Sequence, residues 1–178
     1  MPGIDLIDLS DPLLRKREKN ALRLITHPDD KCPDELGFWY LWTAKEAVFK
    51  LRRELINFDP KEIPISIIST NDGITFTSGN THGFFKVDEE VILAVAHTSE
   101  EEVGYEFIQC EDRDQSTKLR QKLTDHLLKK FDIVTEISSD GDGLPVIKVN
   151  NQPVSLTHHY HHMAFAYDAG QIKKYLAH

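Results

Sequence analysis

The sequence has few cysteines, no long apolar run and no excess of positive charge. Only two of its 178 residues are cysteine, Cys32 and Cys110, and they lie far apart without the spacing of a metal site. This pattern predicts packed rather than bridged thiols in a reducing compartment. No stretch approaches the ~20 apolar residues that a membrane span requires, and no apolar segment follows a basic start. We therefore expect a cytoplasmic protein without a membrane anchor.

The charge balance excludes one further class of protein. The net charge of -8 argues against a general nucleic-acid binder, which needs a basic face to displace counterions from phosphate. Apolar residues make up 40% of the chain, which is enough for a hydrophobic core. The length predicts a single domain over residues 1–178, with sub-lobes at about 1–111 and 112–178 if it is divided.

The hydrophobic pattern predicts an α+β fold, with helices packed on an antiparallel sheet. Helices are predicted at 12–25, 34–57 and 112–131, the last with a leucine every four residues on one face. Strands are predicted at 3–9, in several short runs between 63 and 110, at 144–149 and within 154–167. The turns "NDG" and "SGN" between the early runs are typical of β-hairpins. No internal repeat is visible.

Charged residues interrupt the aromatic helix "FWYLWTAKEAVFK" (38–50). Residues four apart lie above one another on a helix, so Trp42, Glu46 and Lys50 form one stripe, with Lys45 beside it. One interpretation is an amphipathic helix with a Glu–Lys pair that contributes about 0.2–0.5 kcal/mol. The other is a site for a divalent cation and phosphate, since carboxylates hold Mg²⁺ and ammonium groups balance phosphate charge. Spacing alone leaves both open.

Asp5 lies inside the apolar strand "GIDLI", where a carboxylate is costly to bury unless something pairs with it. It either caps a nearby backbone amide or serves as a metal ligand, with Gly3 allowing the backbone to approach a neighbour closely.

The segment "SLTHHYHH" (155–162) holds four histidines in five residues. Adjacent strand residues point to opposite faces, so one functional histidine is a simpler interpretation than a zinc cluster.

These segments together resemble the 4'-phosphopantetheinyl transferases. The resemblance rests on "GIDLIDL", "WTAKEAVFK", "GLP" and "SLTH", in the order found in the short, holo-[acyl-carrier-protein] synthase type. The helix motif W-[ST]-x-K-E-[AS]-x-x-K is met at every position from Trp42 to Lys50. The family resemblance implies an α+β fold of the 4'-phosphopantetheinyl transferase type over the whole chain.

The resemblance also implies a reaction: Mg²⁺-dependent transfer of 4'-phosphopantetheine from coenzyme A to a serine of an acyl or peptidyl carrier protein, with release of 3',5'-ADP. In the short enzymes this step serves fatty acid biosynthesis. Asp5 and Glu46 would hold Mg²⁺, and Glu46, or a water it holds, would be the base for the serine hydroxyl. Lys50 and Lys45 would contact the phosphates.

Two other motifs would bind coenzyme A by the same resemblance. Thr157 and His158 belong to "SLTH", where His158 would meet the 3'-phosphate, and Gly143 and Pro145 belong to "GLP". The short enzymes receive their acidic carrier protein on a basic first helix. The candidates for that contact, which a plain solvated face would also explain, are Arg15, Lys16, Arg17, Lys19 and Arg23.

The sequence departs from the family pattern at three positions. Ile7 stands where the two-lobed enzymes have a glutamate, Leu144 replaces the lysine of "G-K-P", and His159 replaces a small residue. Leu144 and the unusual "THHYHH" keep one alternative open, a non-catalytic homologue that binds a carrier protein or a nucleotide. Motif order and length are compatible with a circularly permuted form. Both a homotrimer with sites between subunits and a site enclosed in one chain therefore stand as expectations.

Overall fold

The computed structural model describes residues 1–14, 18–33, 36–54, 57–98, 102–110 and 114–177, with the backbone alone at 18–20. The elements of the first half are β1 (Gly3–Asp8), α1 (Glu18–Ile25), α2 (Gly37–Arg52), β2 (Ser66–Thr70), β3 (Gly73–Ser78), β4 (Thr81–Asp88) and β5 (Val91–His97). Those of the second half are β6 (Val103–Gln109), α3 (Gln115–Phe131), β7 (Ile137–Ser139), β8 (Pro145–Ile147), β9 (Gln152–His159), β10 (His162–Asp168) and α4 (Ala169–Leu176).

Two antiparallel sheets confirm the predicted α+β fold. Each sheet has five strands, in the orders β1-β5-β4-β3-β2 and β6-β10-β9-β8-β7. In both halves a first strand leads into helix, and a four-strand meander follows whose last strand pairs with the first. The two halves therefore share one topology, although the sequence shows no repeat.

The sheets divide the chain earlier than the sequence suggested. β6 belongs to the second sheet, so the change of sheet falls between His97 and Val103 rather than near residue 111. β6 follows four strands of similar composition, and composition does not reveal with which strands it pairs. The short strand β7 and the helix α4 were not predicted.

The predicted helices differ from the observed ones mainly at their ends. Within the described residues α1 begins at Glu18, and residues 12 and 13 form a turn in which Asp11 Oδ1 accepts from the Leu13 N–H at 2.8 Å. α2 ends at Arg52 because Arg53 adopts a left-handed conformation with φ of 53°. Phe58 packs against two aromatic rings of α2, those of Trp42 and Phe49.

Alternate residues of β1 serve two different cores. Ile4 and Leu6 lie in a cluster formed between the halves, together with residues of β5 and with Ala164 and Ala166 of β10. Ile7 belongs to the core beneath α2. A third core lies beneath α3, where Leu119, Leu123 and Leu127 are buried as their spacing predicted. β1 is therefore buried on both faces and lies where the halves meet.

Candidate active site

Gly3 lets β1 approach α2 closely enough to bring Asp5 to the helix. A Cβ atom on Gly3 would lie 2.0 Å from the Ala47 carbonyl oxygen and 2.6 Å from the Leu51 nitrogen. Both are helix backbone atoms, which no side-chain movement can clear. The sequence prediction that Gly3 permits a close backbone contact agrees with this packing.

Asp5 meets side chains from both halves of the chain. Lys50 Nζ lies 2.7 Å from Asp5 Oδ1 and 3.4 Å from Glu46 Oε1. The Thr157 hydroxyl of β9 donates to the same Asp5 oxygen at 2.9 Å. Two carboxylates, an ammonium group and a hydroxyl thus form one cluster at the boundary between the halves.

This cluster opens into a cleft of about 370 Å³. Its floor is β1, one wall is α2 and the opposite wall is β9. The lining residues are Asp5, Leu6, Ile7, Leu14, Trp39, Trp42, Glu46, Lys50, Leu156, Thr157, His158 and His159. The stripe predicted from four-residue spacing, Trp42, Glu46 and Lys50, therefore faces one cleft.

Burial controls the ionisation of this cluster. It raises the pKa of Asp5 to about 6, against the opposing effect of the Lys50 ammonium group. Burial works to lower the pKa of Lys50, but the charges of Asp5 and Glu46 outweigh it and raise that pKa above its usual value. Lys50 therefore stays positively charged, while the Asp5 carboxylate is destabilised until further positive charge approaches it.

The donor set fits a hard divalent cation. Asp5 Oδ2 is buried and has no hydrogen-bond partner among the described residues, and Glu46 supplies a second carboxylate beside it. Magnesium is commonly held by one or two carboxylates, with water and substrate phosphates completing its coordination. In the described part of the chain no three His, Cys, Asp or Glu side chains are arranged to hold a metal. Asp5 and Glu46 are the two carboxylates among the described residues that line the cleft.

Lys45 lies outside the cleft, contrary to the sequence interpretation. Its side chain is fully buried, and its ammonium group lies 2.8 Å from an Asp30 oxygen. It also donates to the carbonyl oxygens of Pro60 at 2.9 Å and Ile63 at 2.7 Å. Neighbouring residues on a helix point about 100° apart, so Glu46 faces the cleft while Lys45 faces the core. We therefore assign Lys45 to the structure of the first half and not to phosphate binding.

The "GLP" turn borders a second, smaller cleft of about 220 Å³. Leu144 and Pro145 line it together with Lys50 and Arg53 from the end of α2. The Arg53 guanidinium is paired with Asp140 and donates to the Pro145 carbonyl oxygen at 3.3 Å. Arg53 therefore brings a positive charge to the turn in which Leu144 replaces a lysine.

Gly143 lies in this turn but does not line either cleft. It has φ of 81°, a conformation that glycine adopts without strain, and its position is exposed. Its contribution is therefore to the shape of the turn, in which the Asp140 carboxylate also accepts from the Leu144 N–H at 2.9 Å.

The carrier-docking candidates are only partly described. Arg15, Lys16 and Arg17 lie outside the described residues, and for Lys19 only the backbone is described. Arg23 is exposed in the last turn of α1. The predicted basic face therefore stays a prediction.

Comparison with protein families identifies the chain. A model described as the 4'-phosphopantetheinyl transferase superfamily matches residues 1–96, which is more than half of the 178 residues. The chain belongs to the 4'-phosphopantetheinyl transferase superfamily. The matched range contains Asp5, Glu46 and Lys50, whereas the β9 wall lies beyond it. Searches of curated proteins and of solved structures found no match.

Membership of the 4'-phosphopantetheinyl transferase superfamily confirms the family that the motifs suggested. The superfamily uses coenzyme A and acts on carrier proteins. None of the helices in the described ranges is both long and apolar enough to cross a membrane.

Several residues of this superfamily member's cleft were not predicted. Trp39 lies one helical turn before Trp42, so its spacing from the motif would have indicated it. Leu14 lines the cleft from the segment after β1, and Arg53 reaches the "GLP" turn from α2. No local sequence signal marks these last two, because their place depends on how distant segments pack.

Proposed function

We propose that this protein is a Mg²⁺-dependent 4'-phosphopantetheinyl transferase that uses coenzyme A and modifies a serine of an acyl or peptidyl carrier protein. The observation that carries the proposal is the meeting of Asp5, Glu46 and Lys50 with Thr157 in a single cleft. The β9 wall of that cleft adds His158, an exposed side chain suited to a phosphate group.

In the proposed reaction the serine hydroxyl oxygen bonds to the pyrophosphate phosphorus that carries pantetheine. The bond from that phosphorus to the bridging oxygen breaks, and 3',5'-ADP leaves with the electron pair. The serine proton passes to Glu46 or to a water that Glu46 holds. Lys50 stabilises the charge that develops on the departing phosphate, which is the main demand of such a transfer.

Asp5 and Glu46 are the residues that would hold the cation. When bound, it would neutralise charge on the pyrophosphate oxygens. Thr157 fixes the Asp5 carboxylate by its hydrogen bond, and Gly3 keeps Asp5 next to α2. The orphaned Asp5 Oδ2 supports this assignment, since a buried carboxylate oxygen without a partner is costly unless a ligand completes it.

We further propose that one chain forms the complete site. Asp5, Glu46 and Lys50 come from the first half and Thr157 and His158 from the second, and both walls meet without another subunit. The two halves then act as sub-lobes of a single domain. A homotrimer is not needed to complete the cleft.

A mass-spectrometric assay tests the proposal. The protein is incubated with coenzyme A, Mg²⁺ and apo carrier proteins of acyl and peptidyl type, and the carrier is examined for the phosphopantetheine adduct. We expect an adduct with the native protein and none with Glu46→Gln or Asp5→Asn. Reversing the charges of Arg15 and Arg17 should raise the KM for the carrier and leave coenzyme A affinity unchanged.

The alternative of a non-catalytic homologue rests on Leu144, which removes the lysine of "G-K-P". The same assay distinguishes a transferase from a non-catalytic binding protein. Coenzyme A binding without an adduct on any carrier would favour the binding protein. The absence of both coenzyme A binding and an adduct would exclude the transferase.

A further inference from the structure

The histidine-rich turn between β9 and β10 is tied to the end of β1. It lies at the tight connection of the two strands, where Tyr160 has φ of 51°. Two of its histidines contact carboxylates of the first half: His162 Nδ1 lies 2.7 Å from Asp8, and His159 Nε2 lies 3.5 Å from Asp11. The histidines that invited a zinc interpretation thus face acidic residues across the boundary between the halves.

Asp8 is the centre of these contacts. Its side chain is fully buried. One carboxylate oxygen accepts from the Ser10 N–H at 2.9 Å and from the Ser10 hydroxyl at 2.5 Å. The other accepts from His162 Nδ1–H at 2.7 Å and from the His161 N–H at 3.2 Å. A buried carboxylate with four donors holds its neighbours firmly, because breaking any contact leaves charge unpaired.

The backbone of Asp8 adds a fifth contact to the same turn. Its N–H donates to His159 Nδ1 at 3.2 Å, which leaves Nε2 as the protonated nitrogen that faces Asp11. His159 therefore joins the last residue of β1 and the following segment to the end of β9. The replacement of a small family residue by His159 gains a structural reason.

These contacts hold two parts of the cleft wall. His158 and Thr157 immediately precede His159 on β9, and Leu14 closes the cleft from the segment that Ser10 and Asp11 begin. We propose that Asp8 is a positioning residue, which through the turn 159–162 sets the β9 wall at the distance from β1 that coenzyme A binding requires. The inference rests on the proposed function, since it assigns coenzyme A to this cleft.

Loss of the Asp8 contacts should affect binding more than chemistry. β1 stays paired with β5 from Gly3 to Asp8 through its backbone, so Asp5 keeps its place beside Lys50. The turn that follows β9, in contrast, loses the charged carboxylate that holds the His161 N–H and the His162 ring, and only the backbone contact of Asp8 with His159 remains. We expect Asp8→Asn to raise the Kd and the KM for coenzyme A about tenfold, which corresponds to ~1.4 kcal/mol, with kcat within about twofold of the native value.

His162 provides a matched pair of variants should Asp8→Asn fail to fold. His162→Asn places an amide N–H near the position of Nδ1 and keeps a donor for Asp8, whereas His162→Leu removes it. We expect the leucine variant to behave like Asp8→Asn and the asparagine variant to retain coenzyme A affinity. Glu106→Gln is the control, since Glu106 pairs with His126 at 2.5 Å within the second half and lines neither cleft.

Coenzyme A binding can be measured without turnover, because the only two tryptophans, Trp39 and Trp42, both line the cleft. Titrations followed by tryptophan fluorescence give the Kd, and carrier modification gives KM and kcat. A native protein that binds coenzyme A but modifies no carrier would contradict the proposed function and leave the Asp8 inference open to the Kd comparison. Folded Asp8→Asn and His162→Leu proteins with unchanged Kd would overturn the inference. A fall in kcat with unchanged Kd and KM would also overturn the inference, since a smaller fraction of folded protein gives the same result.

Discussion

Replacing Gly3 by alanine tests how closely β1 and α2 must pack for the site to exist. The new Cβ would lie 2.0 Å from the Ala47 carbonyl oxygen, so the contact must open by about 1.4 Å to reach the 3.4 Å at which ordinary van der Waals contact begins. The atom it meets is helix backbone, and neither partner can move aside by a side-chain rotation. The strand and the helix must therefore separate.

The expected effects of this separation follow from two magnitudes. Overpacking a dense core costs about 1–3 kcal/mol of folding free energy. A misplacement of about 1 Å between catalytic groups can cost on the order of a hundredfold in rate. Asp5 lies on β1, and Glu46 and Lys50 lie on α2, so the displacement acts directly on the 2.7 Å contact between Asp5 and Lys50. We expect Gly3→Ala to lower kcat about a hundredfold and remain folded.

Variants at two other glycines show whether a fall in activity comes from a displaced site or from a less stable fold. A Cβ at Gly83 would lie 2.1 Å from the Phe76 ring, so Gly83→Ala also overpacks the first half. The atoms it would meet belong to a side chain and not to the backbone of α2. Gly141 has no atom within 4 Å of its added Cβ, so Gly141→Ala should be neutral. The assay is carrier modification per mole of folded protein, with folding followed by urea denaturation. If Gly3→Ala and Gly83→Ala lose similar stability and both keep native kcat, the argument from close packing is refuted.

Three further predictions concern the buried ion pair, the turn contacts and assembly. Lys45→Met should lower the free energy of unfolding by about 3–5 kcal/mol because it leaves the Asp30 charge buried and unpaired; weaker coenzyme A binding by the folded variant would contradict this structural role. Burial works to raise the pKa of Asp8, but hydrogen bonds from Ser10 and His162 outweigh it and lower that pKa. The free energy of unfolding of the native protein should therefore exceed that of Asp8→Asn by its full amount at neutral pH, and this difference should shrink as the pH falls below about 4. A difference that does not change with pH in urea denaturation would refute this prediction. Light scattering should show an active species near the chain mass of 20.4 kDa, and activity confined to a trimer would oppose the single-chain site.

The sequence predicted the site where chemistry and helical spacing act locally. Trp42, Glu46 and Lys50 share a cleft because residues four apart share a helix face. Asp5 could be linked to them only through the family motif, since no spacing rule joins a strand to a helix so far along the chain. The placement of Asp5 beside Lys50 then depends on Gly3, whose role was visible as a backbone that could approach closely.

Lys45 shows where local reasoning failed. Within the motif it is adjacent to Glu46, and its charge suggested the same surface. Its place was decided by Asp30 and by the carbonyl oxygens of Pro60 and Ile63, which belong to segments on either side of α2. A lysine can be fully buried when three acceptors surround its ammonium group, and a single sequence does not show which loops supply them.

The membership of strands in sheets is a further property that composition does not reveal. β6 was grouped with the strands before it, although it pairs with β10. The burial pattern of a strand reports the faces it covers, but not the partner at its edges. The shared strand order of the two halves became visible only once those partners were known.

The shared topology raises the question of why the proposed cation site falls in one half of the described chain and not in the other. Gly104 and Glu106 of β6 occupy the places of Gly3 and Asp5 in β1, since each acid lies two residues after a closely packed glycine on the first strand of its sheet. A Cβ on Gly104 would meet the Tyr167 ring at 2.3 Å, whereas Gly3 faces helix backbone. His126 then lies between Glu106 and Tyr167, at 2.5 Å and 2.8 Å, and pairs with the Glu106 carboxylate. In the first half, Asp5 Oδ2 has no such partner among the described residues. Glu106 is thus paired with a histidine and its side chain stays 44% exposed to water, whereas the orphaned oxygen of Asp5 is buried, where a ligand would be needed to complete it.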